Sequence, residues 1–254
     1  MLQQIKKDKL DVLVAENRAA LGHLAAGMAA NKIKELLPVK PELNIIFAAA
    51  PSQNEFLAAL VADESIEWRR INAFHMDEYL GLSEGAPQLF SSFLKESIFD
   101  KVPFKSVNCI NGSSADALDE CERYAALLKT NPADIVCMGI GENTHIAFND
   151  PHVANFKDSQ LVKIVELDTA CRRQQVNDGC FATLADVPQY ALTLTVPALI
   201  AAPYIFCMVP GKNKARAIAH TLSTPVTELY PSTILRQHPN AVLFTDADSF
   251  SLMD

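Results

Sequence analysis

Two stretches of the chain set acid–base residues directly behind short apolar runs. In the first, Phe74-His75-Met76-Asp77-Glu78-Tyr79-Leu80-Gly81-Leu82, adjacent carboxylates follow the run Ile71–His75. A carboxylate there can serve as a general base if it reaches a substrate proton. Taken alone, such a stretch is more often an acidic loop or the negative start of a helix. In the second, Gly139-Ile140-Gly141-Glu142-Asn143-Thr144-His145-Ile146-Ala147-Phe148-Asn149-Asp150-Pro151, a histidine stands just past the run Asp134–Gly139. Histidine titrates near neutral pH and can take or give a proton. Asp150 can orient His145 and stabilise its cation. A lone histidine is more often structural, and no metal is expected, since no second histidine or cysteine stands at ligand spacing.

Two further stretches suit an anion. Ser52 precedes a predicted helix, where free amides and the helix dipole favour a phosphate. The same residues, Ser52-x-x-Glu55, also spell a capping box in which Glu55 takes those amides itself; both readings stay open. Pro210-Gly211-Lys212-Asn213-Lys214-Ala215-Arg216 again opens a helix after an apolar run. A lysine there can offer a point charge to a phosphate, although a solvated basic face is the commoner use.

The elements that must position these residues follow from periodicity. Leu10 to Leu37 reads as one helix, stopped by Pro38 and Pro41. Leu43–Ala48 reads as a buried strand, followed by a helical stretch through Val61. Strands are predicted at Ile71–His75, Val107–Ile110, Asp134–Gly139, Tyr190–Val196, Tyr204–Val209 and Ala241–Thr245. Helices are predicted at Gln88–Phe99, Ala115–Leu128, Pro197–Ala201 and Lys212–Leu222. Apolar strands alternating with helices predict an α/β fold: a single domain over residues 1–254, Rossmann-like, with a mostly parallel central sheet flanked by helices on both faces. Ligands of such sheets bind beyond the carboxyl ends of the strands. That rule selects the loops starting near Ala49, His75, Gly139 and Pro210, where the polar residues above are found.

Bulk properties narrow the function. The formal net charge of −8 argues against nucleic acid, whose binding leaves a basic footprint. It permits a small anionic ligand in a locally positive pocket. The amino-terminal residues lack the long apolar region of a secretory leader, and no uncharged apolar stretch reaches spanning length, so no membrane role is expected. The six cysteines, at 109, 121, 137, 171, 180 and 207, form no Cys-x-x-Cys pair and read as reduced thiols of a cytoplasmic protein.

Taken in order, the motifs resemble the glucosamine-6-phosphate deaminase/isomerase family. Met-Asp-Glu-Tyr-x-Gly-Leu at 76–82, Gly-Ile-Gly-x-x-x-His-Ile-Ala-Phe-Asn-acid-Pro at 139–151 and Gly-x-x-Lys-Ala at 211–215 carry the resemblance. Tyr190–Thr193 and His238–Asn240 add to it. The resemblance implies conversion of glucosamine or galactosamine 6-phosphate to a ketose 6-phosphate with loss of ammonia. It implies no cofactor, a small phosphorylated sugar as partner, and assemblies that differ among members, which leaves a homo-oligomer open. Asp77 would shuttle the proton between C2 and C1, His145 would assist ring opening, and Asp150 would support His145. Ser52 and Lys214 would hold the phosphate, with further cations at Lys163 and Arg172 or Arg173. The related 6-phosphogluconolactonases share the fold and the histidine, so a lactone hydrolase is the alternative, and a sugar-phosphate sensor without turnover is a third.

The chain departs from this family at two places. The phosphate loop, rich in glycine and threonine in the family, here reads Ala48-Ala49-Ala50-Pro51-Ser52-Gln53. Proline removes one amide donor and alanine limits the approach of an anion. Asn143 stands where the family has aspartate; an amide can orient an imidazole but cannot neutralise its charge. Asp150 is also one methylene shorter than the usual glutamate. These departures predict a divergent branch with an altered substrate, such as galactosamine 6-phosphate.

Overall fold

The computed structural model describes residues 1–253. The chain opens with a hairpin, β1 (Gln3–Lys7) and β2 (Leu10–Ala15), and continues through α1 (Arg18–Leu36), β3 (Leu43–Phe47), α2 (Asn54–Val61), β4 (Ile71–His75) and β5 (Asp77–Tyr79). Next come α3 (Phe90–Leu94), β6 (Ser106–Asn108), α4 (Ala117–Thr130), β7 (Ile135–Met138), β8 (Val162–Glu166) and α5 (Thr169–Asn177). The last elements are β9 (Tyr190–Leu194), α6 (Val196–Ile200), β10 (Tyr204–Val209), α7 (Ala215–Ser223) and β11 (Ala241–Asp246).

Eight strands form one sheet in the order β1-β2-β11-β10-β7-β3-β4-β6, parallel throughout except for β1 against β2. Side chains alternate across it into two cores. Ile135 and Cys137 of β7 pack with α1 and α2, whereas Val136 and Met138 pack with α4, α6 and α7. On β10, Phe206 and Met208 face the first core, Ile205 and Cys207 the second. Burial on both faces is why these strands read as unbroken apolar runs, and the α/β expectation is met. A separate antiparallel sheet, β5-β9-β8, follows β4 across a single residue.

One expected element is wrong. The helix placed from Leu10 to Leu37 is a strand, a turn and a shorter helix. Leu10–Ala15 pairs with β11 as well as β1, and this pairing overrides the leucine spacing that suggested a helix. The true start is Asn17, whose side chain accepts a hydrogen bond from the Ala20 amide at 2.9 Å, an ordinary N-cap.

The chain builds outward from β3 to β4 and β6, then returns to lay β7 on the other side of β3. The crevice between β3 and β7 is therefore the topological switch point, where open α/β sheets bind ligands. Among the described residues no helix is long and apolar enough to cross a membrane, and all six cysteines are free.

Candidate active site

A pocket of about 300 Å³ lies at that switch point. Ala48–Ser52 follow β3, Met76 and Asp77 follow β4, Gly139–Gly141 and His145 follow β7, and Lys214 comes from the turn after β10. The four strand-end loops singled out by the sequence thus meet in one cavity. Of the eight site residues expected, Ser52, Asp77, His145 and Lys214 line it; Asn143 and Asp150 stand behind His145.

The adjacent carboxylates have opposite surroundings. Glu78 is fully buried and accepts three backbone hydrogen bonds, from Tyr79 at 3.0 Å and from Phe90 and Ser91 at 2.9 Å. It thereby caps α3 from a distance. Asp77, on the opposite face of the short strand, opens into the pocket. Burial, then the charge of Glu78, pushes its carboxyl well above the usual carboxylate range. His75 next to this pair is structural: its Nε2 accepts the Ile110 amide at 2.7 Å, and burial pushes it down to about 3.

His145 sits in a tight loop with Thr144 at φ 71° and Ala147 at φ 47°. Both values are costly for residues other than glycine, and such strain gathers at functional sites. The imidazole lies over Gly141, where any Cβ would overlap the ring. Its Nδ1 is 2.7 Å from Asn143 Oδ1 and 3.1 Å from Asp150 Oδ1. With two acceptors facing it, Nδ1 carries the proton, and Nε2 is left with a lone pair. Burial alone would raise the Asp150 carboxyl, but hydrogen bonds from His145, Asn143 and the Asp168 amide hold it below the usual range. Ligand-type atoms of His145, Asp150 and Cys171 lie within 4.8 Å of one another, a grouping that sequence spacing did not suggest. Nδ1 and the carboxylate are already committed to each other and to Asn143.

At the anion end, the capping-box reading of Ser52 gives way. Glu55 turns instead to Arg18, at 2.7 and 3.0 Å, and Ala50–Gln53 has no side-chain cap. Ser52 Oγ accepts from the buried Gln53 Nε2 at 3.0 Å, which leaves the hydroxyl hydrogen to donate elsewhere. Lys214 is 6% exposed. Burial lowers its pKa against the opposing pull of Asp178 and Glu142. It is the one lysine or arginine lining the pocket among the described residues.

Two expected phosphate ligands lie elsewhere. Lys163, on β8, pairs with Asp158 at 2.8 Å and donates to the Val153 carbonyl at 2.7 Å. Arg172 donates to the carbonyls of Leu184 and Val187, both at 2.8 Å, and so pins the loop after α5; Arg173 is exposed. Gln174 and Gln175 line the pocket instead. They lie about 200° and 300° further round the helix from Arg172. No motif announced them: α5 is too polar for its apolar spacing to register.

Comparison with known proteins agrees with this geometry. The family model described as glucosamine-6-phosphate isomerases/6-phosphogluconolactonase matches residues 16–244. A glucosamine-6-phosphate deaminase of Streptococcus pneumoniae is 35% identical over 207 residues, 82% of this chain and 86% of the relative. One of Bacillus cytotoxicus is 29% identical over 243 residues, 96% of this chain and 89% of the relative. A solved monomeric glucosamine-6-phosphate deaminase superposes with a TM-score of 0.85 at 28% identity, covering 95% of this chain and 99% of its own. The 6-phosphogluconolactonase of Thermotoga maritima shares the fold, with a TM-score of 0.76 at 21% identity over 94% of this chain and 100% of its own. With the family model spanning almost the whole chain around the pocket just described, the protein belongs to the glucosamine-6-phosphate isomerase/6-phosphogluconolactonase family.

Proposed function

We propose that this pocket converts an amino-sugar 6-phosphate to the ketose 6-phosphate and ammonia. The observation that carries the reading is the joint presence of Asp77, His145 and Lys214 around one cavity of about 300 Å³, roughly the lower bound for small-molecule sites. His145 presents Nε2 to the sugar and moves a proton as the pyranose ring opens. Asp77 then takes the C2 proton and returns it at C1. Water adds at C2, and ammonia leaves as the ketose forms. A C2 proton is weakly acidic, so the base must be close and strong. The buried setting that raises the Asp77 carboxyl makes its anion a stronger base than a solvated aspartate. The cationic amino group of the substrate would favour that anion as it arrives.

Ser52 and Lys214 hold the phosphate in this reading, with the sugar spanning from there to Asp77. A lactone hydrolase needs the histidine but no carbon-acid base, and Asp77 facing the cavity favours the deaminase. The alanine- and proline-bearing phosphate loop supports a divergent branch with an altered substrate, such as galactosamine 6-phosphate. The test is ammonia release from glucosamine 6-phosphate and galactosamine 6-phosphate, measured side by side. Release from either is expected, and comparison of the two rates gives the epimer. Silence from both, with hydrolysis of 6-phosphogluconolactone, would overturn the reading. Ordinary rates on the gluco epimer alone would remove the altered substrate.

A further inference from the structure

Asn143, which by sequence weakens the site, is the hub of a network that reaches a second carboxylate. Its Nδ2 donates to Asp150 Oδ1 at 2.9 Å and to Asp168 Oδ2 at 3.1 Å. Its Oδ1 faces the His145 backbone amide at 3.2 Å and the ring Nδ1 at 2.7 Å. The amide orientation is fixed by chemistry: turned over, it would set its oxygen against two carboxylates and its NH₂ against two N–H donors. Asp168 is itself anchored. Its Oδ1 accepts the Cys171 amide at 2.5 Å as the N-cap of α5, and its own amide donates to Asp150 Oδ2 at 3.2 Å. Asp150 is fully buried, and the Cys171 sulfur lies within 4.8 Å of its carboxylate.

We propose that Asp168 is a positioning residue for His145, acting through Asn143, and that position 143 must be an amide because it stands between two carboxylates. An aspartate there would bring a third like charge into contact with Asp150 and Asp168, and repulsion would turn one of them away. The amide instead uses both hydrogens to hold the carboxylates together and its oxygen to hold the ring. Asp168 therefore does part of the work that a carboxylate at 143 would do, from one residue further out.

The inference rests on His145 being the acid–base residue of the proposed reaction, and its test separates the two ideas. N143D, D168N and the double variant N143D/D168N are compared with wild type in ammonia release from glucosamine and galactosamine 6-phosphates. Asparagine caps helices about as well as aspartate, so D168N keeps the start of α5. N143D is expected to lose ~100-fold in kcat with KM little changed, the size of effect that a small misplacement of a reacting group produces. D168N should lose on the order of tenfold, and the double variant should regain at least about tenfold over N143D, because two carboxylates and one amide are restored. Proton NMR at neutral pH supplies a readout independent of any substrate. The ring N–H signal that is absent in H145Q should be protected in wild type and exchange faster in D168N. The proposal fails if D168N leaves both kcat and that signal at wild-type values, or if N143D is as active as wild type. It fails equally if D168N deepens the N143D defect. If wild type releases no ammonia from either sugar, the functional reading falls, and the N–H signal alone decides the positioning role.

Discussion

The two ends of the pocket are built on opposite plans. Behind the His145 ring the supporting groups are paired in advance: Asn143 uses both amide hydrogens and its oxygen, and Asp150 accepts on both oxygens. Around Lys214 and Ser52 the donors face open space, and the buried ammonium has no hydrogen-bonded anion among the described residues. The difference teaches which contacts must exist before the substrate arrives. Acid–base groups are effective only when already oriented. An anion-binding group gains by lacking a partner that the substrate must displace. Asp77 belongs to the second plan although it sits at the reacting end: it is 7% exposed, with burial and Glu78 both opposing its charge.

The largest expected effect breaks the reacting end at Asp77. D77N should lower kcat by about 10²–10⁴-fold, the usual worth of a general base, while the protein folds. Stability should move the other way. A carboxyl whose folded pKa is raised favours folding below its unfolded pKa, about 4, and opposes folding as pH climbs toward the folded value. D77N lacks that penalty, so its melting temperature should exceed that of wild type at neutral pH and converge with it below about pH 4. Calorimetry at both pH values checks the sign. Equal stability at neutral pH would mean that Asp77 is better solvated than its burial implies.

At the anion end, K214M should act on binding. Losing one charge-assisted contact of about 1.5–3 kcal/mol raises KM for the phosphorylated sugar roughly 10–100-fold, with kcat changed far less. Because burial lowers the Lys214 pKa, wild-type KM should begin to rise at a lower pH than an ordinary lysine would dictate. K214M should lack that alkaline rise. A K214M profile with the same rise would assign it to another group.

Legibility in the sequence depended on whether a residue's role lay in its own segment. Asp77, His145, Ser52 and Lys214 each follow a buried parallel strand, and the carboxyl-end rule collects all four from the order of the apolar runs. The alternating cores on β7 and β10 likewise follow from apolar runs. What could not be read depended on distant partners. Leu10–Ala15 became a strand because β11, more than two hundred residues away, pairs with it. Glu55 left its capping position for Arg18. Asp168 reaches His145 through Asn143 with its side chain and through Asp150 with its amide, across a separation that no local motif spans. Gln174 and Gln175 were hidden because a polar helix against a wet pocket has no apolar stripe to announce it.

Glu78 sharpens the contrast with its neighbour. E78Q replaces one of two accepting oxygens with an NH₂ facing backbone donors that Glu78 now satisfies. A buried donor left unpaired costs about 1–3 kcal/mol, so the melting temperature should fall by roughly 2–12 °C in a chain of this size. The kcat of the folded fraction should hold within a few-fold, unlike that of D77N. A D77N-like collapse in kcat at unchanged stability would reverse the assignment of base and brace.

The smallest expected effect tests where the anion end stops. Lys163 resembles a phosphate ligand of the family by sequence, yet its ammonium is held by Asp158 and the Val153 carbonyl and lies outside the pocket. K163A should therefore change KM for either amino-sugar 6-phosphate by less than about twofold, since a side chain that does not touch the ligand contributes little to the binding difference. Its cost should appear in stability. Removing the ammonium strands Asp158, which burial alone would raise but which Lys163 holds below the usual carboxylate range. In wild type that depressed pKa adds stability above the unfolded value of about 4 and loses it as pH falls through the folded pKa. K163A should flatten this acid-side dependence while leaving substrate affinity alone. A tenfold rise in KM would instead extend the anion end to β8 and require the Lys163–Asp158 pair to open when substrate binds.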